Sequence, residues 1–168
     1  ADLYLSKAQS VLGDAFDYAI NSCKFAGNDF IKLFIASSVS QRMERGEPDY
    51  INGKSGIEIV AEILEETKGE RLIIKPREYF GRSKEYWAGW AAAYYQWYSE
   101  RKYSDIFKVV SFDELVGMYY PLHEADITKF VDIMDVQMDD YFPETNLKRI
   151  RVIYGLTQAE LAKRSNVS

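Results

Sequence analysis

A chain of 168 residues with 47% apolar side chains has room for one substantial domain, or a domain with a small appendage, and enough apolar material to bury a core. Its net charge of −5 argues against a chain that coats nucleic acid along its whole length, and no apolar run reaches the roughly 18 residues of a membrane span. Cys23, the single cysteine, excludes an internal disulfide, and ADLYLSKAQS at the start has neither the basic opening nor the apolar block of a signal peptide. The expectation is a cytoplasmic protein that meets no membrane.

Helical periodicity runs through most of the chain. Leu5, Ala8, Leu12, Ala15, Phe16, Ala19 and Cys23 recur at spacings of three and four, which predicts a first amphipathic helix punctuated by Gly27 and Asn28. Asn28 is a candidate cap for a second helix carrying Phe30, Leu33 and Phe34 toward Gly46-Glu47-Pro48. GEPDYINGK, 46–54, reads as a loop. Ser55 and Glu58 form a capping box that opens a third helix through Ile59, Val60, Ile63 and Leu64. RLIIK, 71–75, is the sole strand candidate, limited by Pro76.

Ser83 is placed to cap a long aromatic helix, RSKEYWAGWAAAYYQWYSER. Ser111 and Glu114 make a second capping box, whose short helix Pro121 should end. Asp126–Asp140 predicts a further helix with Ile127, Phe130, Val131 and Met134 on one side, and Pro143 breaks the chain after it. The fold class expected is all-α: a helical bundle with at most one short strand.

Several small motifs point to chemistry, and each has a structural explanation. GKSG at Gly53–Gly56 has the look of a phosphate loop, but Pro48 stands where that pattern needs glycine, and Ser55 is better used as a helix cap. His123, Glu124 and Asp126 lack the second histidine of a zincin pair, so no metal is expected, and helix capping accounts for them. Cys23 lies on an apolar stripe, and nothing pairs it with His123 as a nucleophile. Asp132, Asp135 and Asp139 share a helix face, either solvated or opposed to a basic partner. No cofactor and no catalytic residue are indicated.

Aromatic side chains line more than one side of the helix around Tyr86–Tyr98. Tyr86, Trp90, Tyr94 and Tyr98 recur every fourth residue, Trp87 and Tyr95 lie on another face, and Trp97 is near. Such a helix is either central to a core or partly a docking surface, because Tyr and Trp supply much of the energy of protein interfaces. The residues expected to meet a partner are Trp87, Trp90, Tyr94 and Trp97.

The C-terminal stretch LKRIRVIYGLTQAELAKRSNVS reads as a basic helix, a glycine stop at Gly155, a Thr157 cap and a second helix. Residues 144–168 hold five basic and two acidic side chains, a net of +3, against 16 and 24, a net of −8, in residues 1–143. Nucleic-acid contact is thereby confined to the tail. This stretch resembles the helix-turn-helix of the lambda-repressor/Cro, or XRE, family. The pattern LxxxRxxxGLTQxELAxxxxVS is filled by Leu147, Arg151, Gly155, Leu156, Thr157, Gln158, Glu160, Leu161, Ala162, Val167 and Ser168.

The resemblance implies DNA contact through Arg151, Thr157, Gln158 and Ser168, with Gln158 bonding a phosphate and Ser168 capping the base-reading helix. That helix would begin where this sequence stops, so a piece of a longer protein is expected. The domain division expected is 1–143, a helical protein-interaction domain, and 144–168, an incomplete helix-turn-helix. The layout of YWAGWAAAYYQW and LHEADITKFVD before such a tail also resembles bacterial antitoxin-like regulators. The function expected is a bacterial transcriptional regulator, the antitoxin of a toxin–antitoxin pair. Its partners would be operator DNA in the full-length protein and either a toxin or a second copy of itself. The rival expectation is a helical small-molecule sensor or enzyme built on the aromatic core.

Overall fold

The computed structural model of the chain describes residues 2–78 and 81–143. Among these residues every regular element is helical. The chain divides into two compact units, residues 1–131 and 132–168.

In the first unit α1 (Asp2–Asp17) runs on into a wide π-helical turn, Tyr18–Ser22, in which the Cys23 N–H reaches the Tyr18 carbonyl at 2.9 Å. Lys24, at φ 64°, ends it in a left-handed turn, three residues before the glycine expected to do so. Gly27 instead opens α2 (Gly27–Ala36), because a side chain there would strike the Phe112 ring.

Asn28 does not cap that helix. It reaches across the chain to α7 (Phe112–Gly117), accepting from the Phe112 N–H at 3.0 Å and donating to Asp113 Oδ2 at 3.4 Å. The second predicted helix is broken at Ser37, whose hydroxyl donates to the Phe34 carbonyl at 2.7 Å. α3 (Ser38–Glu44) starts anew because Glu66, from a later helix, accepts from the Ser38 N–H at 2.7 Å and from its hydroxyl at 2.9 Å. A carboxylate at a helix N-terminus satisfies a free donor and suits the dipole.

Both predicted capping boxes are present. Ser55 and Glu58 bond reciprocally at the start of α4 (Gly56–Lys68), as do Ser111 and Glu114 at α7. Ahead of Ser55 a short π-helical turn, Asp49–Gly53, occupies part of the expected loop. Gly69, at φ 76°, stops α4 in the left-handed conformation that glycine adopts without strain. Residues 70–78 follow as neither helix nor strand.

Ser83 caps α5 (Lys84–Ser99) by accepting from the Tyr86 N–H at 3.0 Å. Glu100, at φ 58°, ends it, and α6 (Tyr103–Val109) leads into α7. Pro121 does not end the helix begun at Ser111. It sits inside a separate short turn, α8 (Tyr119–Leu122), where a missing N–H costs nothing.

Phe16 lies at the centre of the core. The rings of Phe30 and Phe34 meet it edge-on at 5.9 and 6.0 Å, and those of Phe112 and Phe107 lie tilted at 5.7 and 6.2 Å. Tyr103 stands edge-on to Phe34 at 5.2 Å, and Leu12, Ile59, Ile63, Ile106 and Leu115 are also fully buried. α1 and α5 are antiparallel, since Asp17 bonds Ser83 while Gln9 reaches the Trp90 carbonyl.

The last helix, α9 (Ile127–Tyr141), carries the boundary between the units. Asp126 accepts from the Thr128 N–H at 2.9 Å at its start, and that bond holds the Asp126 carboxyl below its ordinary pKa. In the second unit Met134 and Met138 are buried and Val136 is exposed.

Candidate functional site

α5 divides its aromatic residues between two environments. Tyr86, Trp87 and Tyr95 are core residues, with Trp87 edge-on to Phe130 at 5.6 Å and to Tyr119 at 6.1 Å. Ala88, Ala91, Ala92 and Ala93 are buried beside them. Trp90, Tyr94 and Trp97 stay half-buried, and Tyr98 is 52% exposed. Spacings of four, three and one put these last four on one stripe of the helix.

Of the residues expected to meet a partner, Trp87 is therefore held in the core, and Trp90, Tyr94 and Trp97 remain at the surface. The antiparallel register carries the start of α1 to the same end of α5, where Leu3 and Tyr4 stand 68% and 49% exposed. Periodicity could not assign those two, because α1's stripe reads as buried from Leu5 onward. Exposed aliphatic and aromatic side chains are enriched at interaction surfaces.

A cleft of about 410 Å³ lies beside Trp97, open to solvent and lined by Glu44, Arg45, Gln96, Arg101 and Lys102. Burial raises the Glu44 carboxyl above its ordinary pKa, opposed by the bond it accepts from the Tyr103 N–H at 2.6 Å. No sequence motif announced this cleft. Its components come from two helix ends 50 residues apart, and an Arg-Lys pair after a helix is common for dipole reasons alone.

The other end of the α1–α5 pair is locked by polar side chains. Asn21 Nδ2 donates to Asp17 Oδ1 and to Glu85 Oε1, each at 2.8 Å, and the Ser83 hydroxyl donates to the same Asp17 oxygen. Both carboxylates are nearly buried, so these bonds are required to offset their desolvation. Arg82 stacks over the Tyr86 ring at 4.5 Å. The arrangement fixes the helix register.

The smaller motifs take structural places. Gly53 closes the π-helical turn, Ser55 caps α4, and Gly56 lies where a Cβ would meet the Ala15 backbone nitrogen at 2.6 Å. GKSG is thus a helix start packed on α1. His123 closes α8, its ring stacked on Tyr119 at 4.1 Å with Nδ1 at 2.7 Å from the Tyr119 carbonyl. Among the described residues no cluster of His, Cys, Asp and Glu is placed to hold a metal, and no helix is long and apolar enough to cross a membrane.

Cys23 is half-buried beside Tyr18, and burial pushes its thiol pKa up. At a given pH it carries less thiolate than a free cysteine. Reaction with Ellman's reagent at pH 8 is expected to run several times more slowly than for free cysteine. A faster reaction would mark an activated thiol and reopen a nucleophilic role.

Arg151, Thr157, Gln158 and Ser168, with the whole helix-turn-helix reading, lie outside the described residues. No protein-family model matches the chain, and comparison with curated proteins and with solved structures likewise finds no match.

Proposed function

We propose that the chain belongs to a DNA-binding transcriptional regulator of the XRE type, in which residues 147–168 hold operator DNA and the helical unit holds a protein. The observation that carries the reading is the filled pattern LxxxRxxxGLTQxELAxxxxVS over Leu147–Ser168, set in a tail of +3 behind a body of −8. A phosphate-binding tail on an acidic body keeps the two tasks apart, since the body repels DNA. The half-exposed Trp90, Tyr94 and Trp97 support a protein partner for the body, as an antitoxin would need for its toxin.

The test is fluorescence anisotropy of the polypeptide, as its own gene encodes it, on the DNA upstream of that gene. Specific binding that weakens steeply with salt is expected. Gln158→Ala or Arg151→Ala should each weaken it about tenfold, the loss of one charge-assisted bond. Trp97→Ala should leave it unchanged. Equal affinity for unrelated DNA at every salt concentration would overturn the proposal.

A further inference from the structure

The segment 70–78 is tied through its backbone to two hydroxyl groups of the π-helical turn that follows α1. The Tyr18 hydroxyl donates to the Ile74 carbonyl at 2.6 Å and accepts from the Ile74 N–H at 2.7 Å. The Ser22 hydroxyl oxygen accepts from the Arg77 N–H at 2.9 Å, beyond Pro76. In an extended chain the N–H and C=O of one residue point to the same side, and those of the next residue to the opposite side. Both polar groups of Ile74 face Tyr18, the arrangement of an extended residue, so the Ile73 C=O and the Lys75 N–H, across the same planar trans peptides, face away from Tyr18. Neither residue makes a backbone hydrogen bond among the described residues. The result is a short, open strand edge on a helical unit.

The side chains on that edge have a definite character. Alternation puts Arg71, Ile73 and Lys75 on one face, with Ile73 60% exposed. Arg71 is held by an exposed ion pair with Glu65 at 2.9 Å, which contributes little. Two cations thus flank an exposed isoleucine on a body whose net charge is −8. A second copy is a poor occupant. Two such strands paired antiparallel about Ile73 would set Arg71 opposite Lys75 twice, and like charges directly opposed are destabilising. Pro76, without a donor, limits the edge to its first few residues.

We propose that this edge accepts an extended segment of a partner protein as an added antiparallel strand, with acidic side chains opposite Arg71 and Lys75 and an apolar one opposite Ile73. Main-chain bonds supply the attachment and the alternating charge supplies the choice of partner. The inference is independent of the DNA-binding reading, since it uses residues of the helical unit alone.

The probe is a blocked peptide of alternating Glu and Val, titrated into the isotope-labelled full chain and followed by amide chemical shifts. The Ile73 and Lys75 amides should move most. A peptide of alternating Lys and Val should bind roughly tenfold more weakly, from the reversal of its cross-strand charge pairs. Lys75→Pro, which removes the outward-facing donor, should abolish binding while the rest of the spectrum is kept. Should that variant fail to fold, the double change Arg71→Glu and Lys75→Glu serves instead and should invert the preference between the two peptides. The proposal is overturned by unmoved amides, by equal binding of both peptides, or by sedimentation showing a dimer that Arg71→Glu and Lys75→Glu disrupts. Slow hydrogen exchange of Ile73 and Lys75 in the free monomer would also overturn it, since the edge would then be filled by the chain itself.

Discussion

Phe16→Ala is expected to lower the unfolding free energy by about 3–5 kcal/mol, the range for a fully buried phenylalanine cut to alanine. The phenyl ring has four aromatic neighbours from three different helical segments, and none of them is free to fill the space. The cost is therefore expected at the upper part of that range, where collapse is poor. Against a total stability of about 5–15 kcal/mol this is enough to leave the unit marginal at 25 °C. Urea unfolding followed by circular dichroism checks it: the midpoint should fall with the slope unchanged. Phe16→Leu, which keeps most of the volume, should cost about half as much or less. A loss under about 1 kcal/mol for the alanine variant would mean that the ring cluster is looser than the geometry indicates.

Gly89→Ala should destabilise by about 2 kcal/mol or more, although alanine is the better helix former. Propensity alone favours alanine by up to about 1 kcal/mol in a helix interior. Here a Cβ would overlap the Leu12 carbonyl and come within 2.8 Å of its carbon and 3.0 Å of Gly13 Cα. All three are backbone atoms, so relief requires α1 and α5 to separate, and overpacking of that kind costs about 1–3 kcal/mol or more. Gly117→Ala is the control. It ends α7 with no atom near its would-be Cβ, and should be neutral or slightly stabilising. Thermal unfolding of the two variants side by side separates the terms: equal melting temperatures would show that the helix crossing can give.

What the sequence made legible was local. Ser55 with Glu58, Ser111 with Glu114, and Ser83 before its aromatic run all act within one helical turn, and all three caps stand where spacing put them. What it hid was long-range. Asn28 has the right chemistry for a cap but spends it on Phe112 and Asp113, some 85 residues away. Ser38 has no capping partner nearby, and Glu66 supplies one from α4. The break at Ser37 was invisible for the same reason.

The candidate surface was half legible. The spacing of Trp90, Tyr94 and Tyr98 announced an aromatic face, but a helix with aromatics on several sides does not say which side the core takes. Gly13 and Gly89 decide that by bringing α1 and α5 into backbone contact, burying Tyr86, Trp87 and Tyr95 and leaving the opposite stripe outside.

The pairing of α1 with α5 has a consequence for how the protein is made. The helix that carries Phe16 is made before its closest partner, which is finished roughly 80 residues later, a delay of about 4–16 s at ordinary rates of synthesis. During that interval the apolar side of the first helix has no mate. On the ribosome it is a ready target for any chaperone that recognises exposed phenylalanine and leucine. Slowing translation between residues 20 and 80 should lengthen that vulnerable period and lower the soluble yield, while leaving the finished molecule unchanged.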